Sequence, residues 1–80
     1  MREVILVGAP WCGACKAMKA WFDALDLPGI TTRYADIEEA SDEVFSLPTV
    51  LFEENGNVVQ RITGAIGKHD LEHVIKSLWA

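Results

Sequence analysis

Short apolar runs alternate along this chain with segments in which apolar residues recur at helical spacing. Residues 3–8 are apolar on both faces, as in the middle of a covered sheet, and residues 30–36 are rich in β-branched and aromatic types, so both predict strands. Between them, residues 16–26 predict a helix, which Leu27-Pro28-Gly29 ends. The apolar stripe of this helix consists of Cys15, Met18, Phe22 and Leu25. A strand, a helix and a strand in this order favour a right-handed parallel crossover.

The second half of the chain predicts a hairpin and a closing helix. Residues 50–52 and 58–63 are predicted strands, and Asn55-Gly56 between them is a strong turn signal. The apolar stripe of the closing helix consists of Leu71, Val74, Ile75 and Leu78. The acidic segment from Glu38 to Phe45 predicts a short surface helix. The predicted order is βαβ, a short helix and ββα, within one domain that spans residues 1–80.

Composition restricts the classes of function. The chain has 80 residues, half of them hydrophobic, which is enough for one domain with a marginal core. Its net charge of -5, from twelve acidic and seven basic residues, argues against non-specific binding to nucleic acid or to anionic membranes. The longest N-terminal apolar stretch, Val4 to Pro10, is too short for a membrane span or a secretory signal. We therefore expect a cytoplasmic protein.

The only two cysteines, Cys12 and Cys15, lie three positions apart where the first helix is predicted to begin. At that spacing they face the same side of the helix and can bridge. Unpaired backbone N–H groups and the helix dipole at Cys12 can lower a thiol pKa from about 8.5 to ~3.5–7.5. Such a thiolate attacks a disulfide in another molecule, and the second thiol resolves the mixed disulfide. We expect an exposed attacking sulfur at Cys12 and a shielded resolving sulfur at Cys15.

In a reducing compartment a close cysteine pair indicates redox chemistry or a metal site rather than a permanent crosslink. His69 and His73 complete a literal Cys-x2-Cys and His-x3-His set. The segment between the two pairs is far longer than in a zinc finger. The histidines also lie opposite the apolar stripe of the closing helix, so we expect them on its solvated side.

Three segments resemble the thioredoxin superfamily. The string from Trp11 to Lys16 differs from the thioredoxin motif only at Ala14, where that family has proline. Leu47-Pro48-Thr49 resembles the loop whose proline is cis in these folds, and Gly64-Ala65 follows at a thioredoxin-like offset. Residues 34–38 are similar to the stretch before the middle helix. The resemblance covers nearly the whole chain and implies an α/β thioredoxin-like fold, with a four-stranded mixed sheet flanked by helices.

The resemblance also implies an activity, which is dithiol–disulfide exchange with Cys12 as nucleophile and Cys15 as resolving thiol. The residues that it implies for the substrate groove are Trp11, Leu47, Pro48, Gly64 and Ala65, and those that support the motif are Gly13, Ala14 and Lys16. The partners are disulfide-containing proteins and, as reductant, a thioredoxin-reductase-type enzyme or glutathione. Neither a metal nor an organic cofactor is needed, and we expect a monomer. The alternatives are a glutaredoxin-like enzyme recycled by glutathione and a non-catalytic binding subunit.

Two departures from the family pattern bear on these alternatives. The chain starts at the first strand of the motif, so its size is that of glutaredoxins, yet the Thr-Val-Pro loop and Gly-Gly signature of that family are missing. Leu6 stands where thioredoxins bury an aspartate thought to deprotonate the resolving thiol. We therefore expect Cys15 to lose its proton without help from an internal carboxylic acid. Asp36 and Glu38 are the nearest substitutes, although such carboxylates more often cap a turn or face solvent.

Overall fold

The computed structural model describes residues 1–39 and 46–80. Its elements are β1 (Arg2–Gly8), α1 (Gly13–Phe22), β2 (Ile30–Asp36), β3 (Thr49–Glu54), β4 (Asn57–Thr63) and α2 (Lys68–Leu78). The short surface helix predicted from Glu38 to Phe45 falls mainly on residues 40–45, which lie outside the described residues. Within the described ranges, neither helix is long and apolar enough to cross a membrane.

The four strands form one mixed sheet in the order β2-β1-β3-β4. Strand β1 pairs in parallel with β2, which places Leu6 beside Tyr34, and it pairs antiparallel with β3. Strands β3 and β4 form an antiparallel hairpin. Its turn residues Asn55 and Gly56 both have positive φ, 53° and 85°, as a two-residue hairpin turn requires. The predicted four-stranded mixed sheet, the parallel pairing of the first two strands and the hairpin are therefore confirmed.

Strand β1 is buried on both faces, as its apolar run predicts. Val4 and Leu6 share the larger core with both helices, and Ile5 and Val7 share a smaller cluster with the neighbouring strands. The larger core consists of Val4, Leu6, Met18, Phe22, Val50, Phe52, Leu71 and Ile75. The smaller cluster consists of Ile5, Val7, Ala35 and Leu51. Trp21 and Trp79 are partly buried and pack against the larger core.

The bounds of the first helix differ from those predicted. Helix α1 begins at Gly13 rather than residue 16 and ends at Phe22 rather than residue 26. It starts early because Cys12 caps it. It ends early because Ala24 and Leu25 donate their N–H groups to carbonyls three residues back, which tightens the chain into a turn.

The strands are also slightly longer than predicted. Strand β1 begins at Arg2 instead of residue 3, β3 spans Thr49–Glu54 instead of 50–52, and β4 begins at Asn57 instead of residue 58. The added residues are mostly polar. Backbone pairing continues beyond the apolar side chains from which the prediction was made, because every residue except proline carries both a donor and an acceptor.

Candidate active site

The cysteine pair lies where β1 passes into α1, and it forms a disulfide in the structure. The two Cα atoms are 5.3 Å apart. Cys12 is the N-cap of α1, and its Sγ accepts a hydrogen bond from the backbone N–H of Cys15, with an N···S distance of 3.2 Å. This sulfur therefore lies at the end of the helix where backbone dipoles stabilise negative charge.

The two sulfurs differ in their access to solvent. Cys15, on the first turn of α1, is fully buried, whereas Cys12 is partly exposed. Trp11, directly before Cys12, is 76% exposed, which is unusual for so large an apolar side chain. The predicted difference in exposure between the two residues is therefore observed, although Cys12 is half-buried rather than fully exposed.

The loops around the cysteine pair leave the sheet at the same end. Val7 near the end of β1 pairs with Thr49 at the start of β3, and Thr49 pairs with Thr63 at the end of β4. Because these positions are aligned across the sheet, the loops that contain Cys12 and Pro48 emerge beside each other.

The loop before β3 contains a cis peptide bond between Leu47 and Pro48, as the family resemblance implies. Gly64, directly after β4, donates its backbone N–H to the Pro48 carbonyl oxygen at 2.8 Å. The φ of Gly64 is 98°, a conformation that side chains disfavour. Pro48 is buried, Leu47 and Gly64 are half-buried, and Ala65 is exposed. This hydrogen bond holds the loop before β3 and the loop after β4 side by side.

Three further residues of the motif lie on the first turn of α1. Gly13, Ala14 and Lys16 are all exposed. No atom of the described residues lies within 4 Å of where a Cβ would be at Gly13. The first helical turn is therefore open to an approaching molecule.

The acid that thioredoxins bury near the resolving thiol has no equivalent at its usual position. Leu6 is fully buried within the larger core. Of the two substitutes, Asp36 accepts the backbone N–H of Glu38 at its Oδ1, at 3.0 Å, and Glu38 is exposed. Asp36 therefore caps a turn, which is the more common role of such a carboxylate.

The two histidines of α2 do not approach the cysteines. His69 and His73 are both exposed, and His69 Nδ1 lies 3.5 Å from Glu72 Oε1. Among residues 1–39 and 46–80 there is no group of three or more His, Cys, Asp or Glu side chains placed to hold a metal ion. The predicted position of the histidines on the solvated side is confirmed.

Two neighbours of Cys15 were not predicted as site residues. A Cβ on Gly8 would lie 2.6 Å from Tyr34 Oη and 2.8 Å from Cys15 Cβ, so these atoms border the space above Gly8. A glycine inside a predicted strand often marks such a close approach, and this signal was available in the sequence. The contact of Tyr34 depends on strand register and could not be read from spacing alone.

Comparison with known proteins identifies the family to which the chain belongs. The thioredoxin family model matches residues 2–77. The chain belongs to the thioredoxin family. It is 37% identical to thioredoxin from Gallus gallus, over 94% of this chain and 77% of that protein. It is 32% identical to thioredoxin from Mycoplasmoides gallisepticum, over 94% of this chain and 82% of that protein.

A solved structure shares the fold. A mutant thioredoxin from Halobacterium salinarum NRC-1 superimposes with a TM-score of 0.83 over 95% of this chain and 73% of its own, at 21% identity. Thioredoxins are dithiol–disulfide oxidoreductases that need no cofactor besides their redox-active disulfide, and this chain is such an oxidoreductase. The glutaredoxin-like alternative is not favoured by these comparisons.

Proposed function

We propose that this thioredoxin reduces disulfide bonds of other proteins in the cytoplasm, with Cys12 as the attacking sulfur and Cys15 as the resolving one. The observation that carries the proposal is the asymmetry of the pair. The Cys12 sulfur is accessible and accepts a backbone N–H at the start of α1, while Cys15 lies buried one turn behind it.

The reaction has two exchange steps. The Cys12 thiolate attacks one sulfur of the substrate disulfide, that S–S bond breaks, and the released substrate thiolate takes a proton from water. Cys15 then loses its proton to water and attacks Cys12 Sγ. The mixed disulfide breaks, the Cys12–Cys15 bond forms, and the second substrate thiolate leaves and is protonated. Two electrons pass from the cysteine pair to the substrate, and no other group changes its oxidation state.

The surroundings of Cys12 suit an extended polypeptide. The exposed indole of Trp11 offers an apolar contact beside the sulfur. The backbone of Leu47 can pair with an extended segment, while Pro48 has no N–H to donate. Gly64 and Ala65 form the other side of the groove around Cys12, and this side is shallow because neither residue carries a bulky side chain. We infer that these residues hold a protein substrate across Cys12.

Reduction of insulin by dithiothreitol, followed as turbidity, tests the assignment of the two sulfurs. We expect Cys12→Ser to abolish catalysis. Cys15→Ser, reduced beforehand and then incubated with insulin in the absence of dithiothreitol, stops after the first step, so a mixed disulfide with substrate accumulates and is detected by mass spectrometry. Ala17→Ser introduces the same hydroxyl on an exposed position of α1 and serves as the matched control. Trapping of substrate on Cys15 in the Cys12→Ser variant would refute the assignment.

The recycling partner is tested separately. We propose that a thioredoxin-reductase-type enzyme restores the dithiol, as is typical of the family. With NADPH as the electron source, turnover should depend on adding thioredoxin reductase. Equal turnover with glutathione and glutathione reductase in its place would contradict this part of the proposal while leaving the roles of the cysteines intact.

A further inference from the structure

The resolving step meets a physical obstacle in this chain. Cys15 is fully buried, and burial of a thiol in apolar surroundings disfavours the thiolate that must attack. Thioredoxins bury an acid at the position of Leu6, and leucine can neither accept the proton nor donate a hydrogen bond to the sulfur. Some other polar group close to Cys15 is needed to ease its ionisation.

Tyr34 is the sheet neighbour of Leu6. The parallel register of β1 and β2 pairs these two residues, and both pack into the larger core beneath α1. The polar group of Tyr34 is at the tip of its side chain, several bonds from the backbone. Its hydroxyl can therefore act at a point farther along the sheet, towards the end at which the cysteine pair lies.

The distances around Gly8 locate the Tyr34 hydroxyl. The ideal Cβ position at Gly8 is 2.6 Å from Tyr34 Oη, 3.0 Å from Tyr34 Cε2 and 2.8 Å from Cys15 Cβ. Tyr34 Oη and Cys15 Cβ therefore border the same small space, which exists only because residue 8 has no side chain. Cys15 Sγ is one bond beyond Cβ, and reduction frees it from Cys12 to turn towards this space.

Among residues 1–39 and 46–80, charged groups close to Tyr34 are on α1 and β2. Lys19, one turn after Cys15 on α1, places its Nζ 5.2 Å from the centroid of the Tyr34 ring and pairs with Asp23. Asp36, two residues further along β2, is engaged with the Glu38 N–H. On β1 the adjacent residues are Leu6 and Gly8, which do not titrate. The positive charge of Lys19 beside the Tyr34 ring is thus partly offset by the carboxylate of Asp23.

We propose that the Tyr34 hydroxyl donates a hydrogen bond to the Cys15 sulfur in the reduced protein and stabilises the thiolate that attacks the mixed disulfide. This inference rests on the roles proposed above for the two cysteines. The hydroxyl transfers no proton in this step: the Cys15 proton goes to water, the Cys15 thiolate forms its bond to Cys12 Sγ, and the bond from that sulfur to the substrate breaks. A neutral hydroxyl thus takes the place of the buried acid by stabilising the anion rather than by removing the proton.

Reaction of the reduced protein with Ellman's reagent separates the two steps. The attack of Cys12 releases one coloured thiolate, and resolution by Cys15 releases a second. Tyr34→Phe removes only the hydroxyl and keeps the ring beneath Lys19. Because a hydrogen bond to a charged group is lost, we expect the second phase to slow by about tenfold or more. The first phase should stay within about twofold, since Cys12 keeps its own backbone partner.

The pH dependence of the second phase distinguishes stabilisation of the thiolate from a packing effect. In Tyr34→Phe the rise of the resolution rate with pH should move to higher pH, whereas a loosened core would change the rate at all pH values alike. Lys19→Met is the matched control. It removes the ammonium above the ring but leaves the hydroxyl, so its second phase should remain much faster than that of Tyr34→Phe. Circular dichroism of the reduced variants verifies that each is folded.

A second phase in Tyr34→Phe that stays within twofold of the wild type, with an unmoved pH profile, would overturn the role of Tyr34 alone. A second phase as slow in Lys19→Met as in Tyr34→Phe would overturn it as well, because the ammonium would then be the decisive group. Release of a single thiolate by the wild type would instead refute Cys15 as the resolving thiol, and the inference about Tyr34 with it.

Discussion

Substituting Gly8 by alanine tests the geometry around Cys15 most directly. The added methyl group would lie under 3.0 Å from both Tyr34 Oη and Cys15 Cβ, closer than such atoms approach in folded proteins. The Tyr34 ring packs against the larger core and lies 5.2 Å from Lys19 Nζ, and both contacts restrain its movement. Cys15 is held by α1 and by the disulfide to Cys12. Part of this strain must therefore remain in the folded state.

The size of the effect follows from two opposing contributions. Inserting a methyl group into a well-packed site costs about 1–3 kcal/mol. Replacing glycine by alanine at a position without positive φ recovers about 0.4–1 kcal/mol, because the unfolded chain has less conformational freedom. The difference between these ranges is a net loss of about 0–2.6 kcal/mol, with a central value of ~1.3 kcal/mol. For a domain of this size the central loss lowers Tm by ~5–10 °C.

Thermal unfolding of the oxidised protein, followed by circular dichroism, measures this shift. Gly13→Ala is the matched control because it makes the same change where nothing lies within 4 Å of the new Cβ. Its Tm should equal or exceed that of the wild type. Adding Tyr34→Phe to Gly8→Ala removes the closest clashing atom and should restore part of the loss, a non-additivity that a double-mutant cycle reveals. A Tm of Gly8→Ala at or above that of Gly13→Ala would refute the close approach of Tyr34 and Cys15.

Further expectations concern the core, the surface and pH. Leu71→Ala empties a fully buried position and should lower the free energy of unfolding, measured in urea, by about 2–5 kcal/mol. The exposed Val59→Ala should lower it by less than ~0.5 kcal/mol, and similar urea midpoints for the two variants would contradict the assigned core. Trp11→Ala should leave Tm within ~2 °C but raise KM for insulin, and an unchanged KM would remove the indole from the substrate groove. The hydrogen bond to Asp23, and then the negative charge of that carboxylate, raise the pKa of the Lys19 ammonium above its usual 10.5. The pair therefore stabilises the fold fully below pH 10.5, and this contribution is lost as the pH rises through the raised pKa. Lys19→Met should remove this part of the alkaline decrease in Tm, and an identical decrease in both proteins would argue against the pair.

The elements and the cysteine motif could be predicted because each depends on residues close together in the chain. The run from Val4 to Val7 is apolar at every position, which is typical of a short strand covered on both faces. Asn55 and Gly56 favour a turn because both residue types tolerate the positive φ that a two-residue hairpin turn requires. Cys12 and Cys15 are neighbours on one helical turn wherever that helix packs. The limits of α1 were less predictable, since the cap at Cys12 and the tightened last turn depend on hydrogen bonds rather than on the apolar pattern.

The sequence by itself thus determined the order of the elements and the placement of a reactive cysteine pair at the start of a helix, because backbone preferences and side-chain periodicity act locally. Only the tertiary structure decided what surrounds the buried sulfur. The register of β1 against β2 places Tyr34 beside Leu6, and the close packing of α1 on the sheet brings its hydroxyl and Cys15 to the space above Gly8. The alignment of β3 and β4 likewise joins Pro48 to Gly64. These contacts connect residues distant in sequence, and their geometry is set by packing of the whole chain.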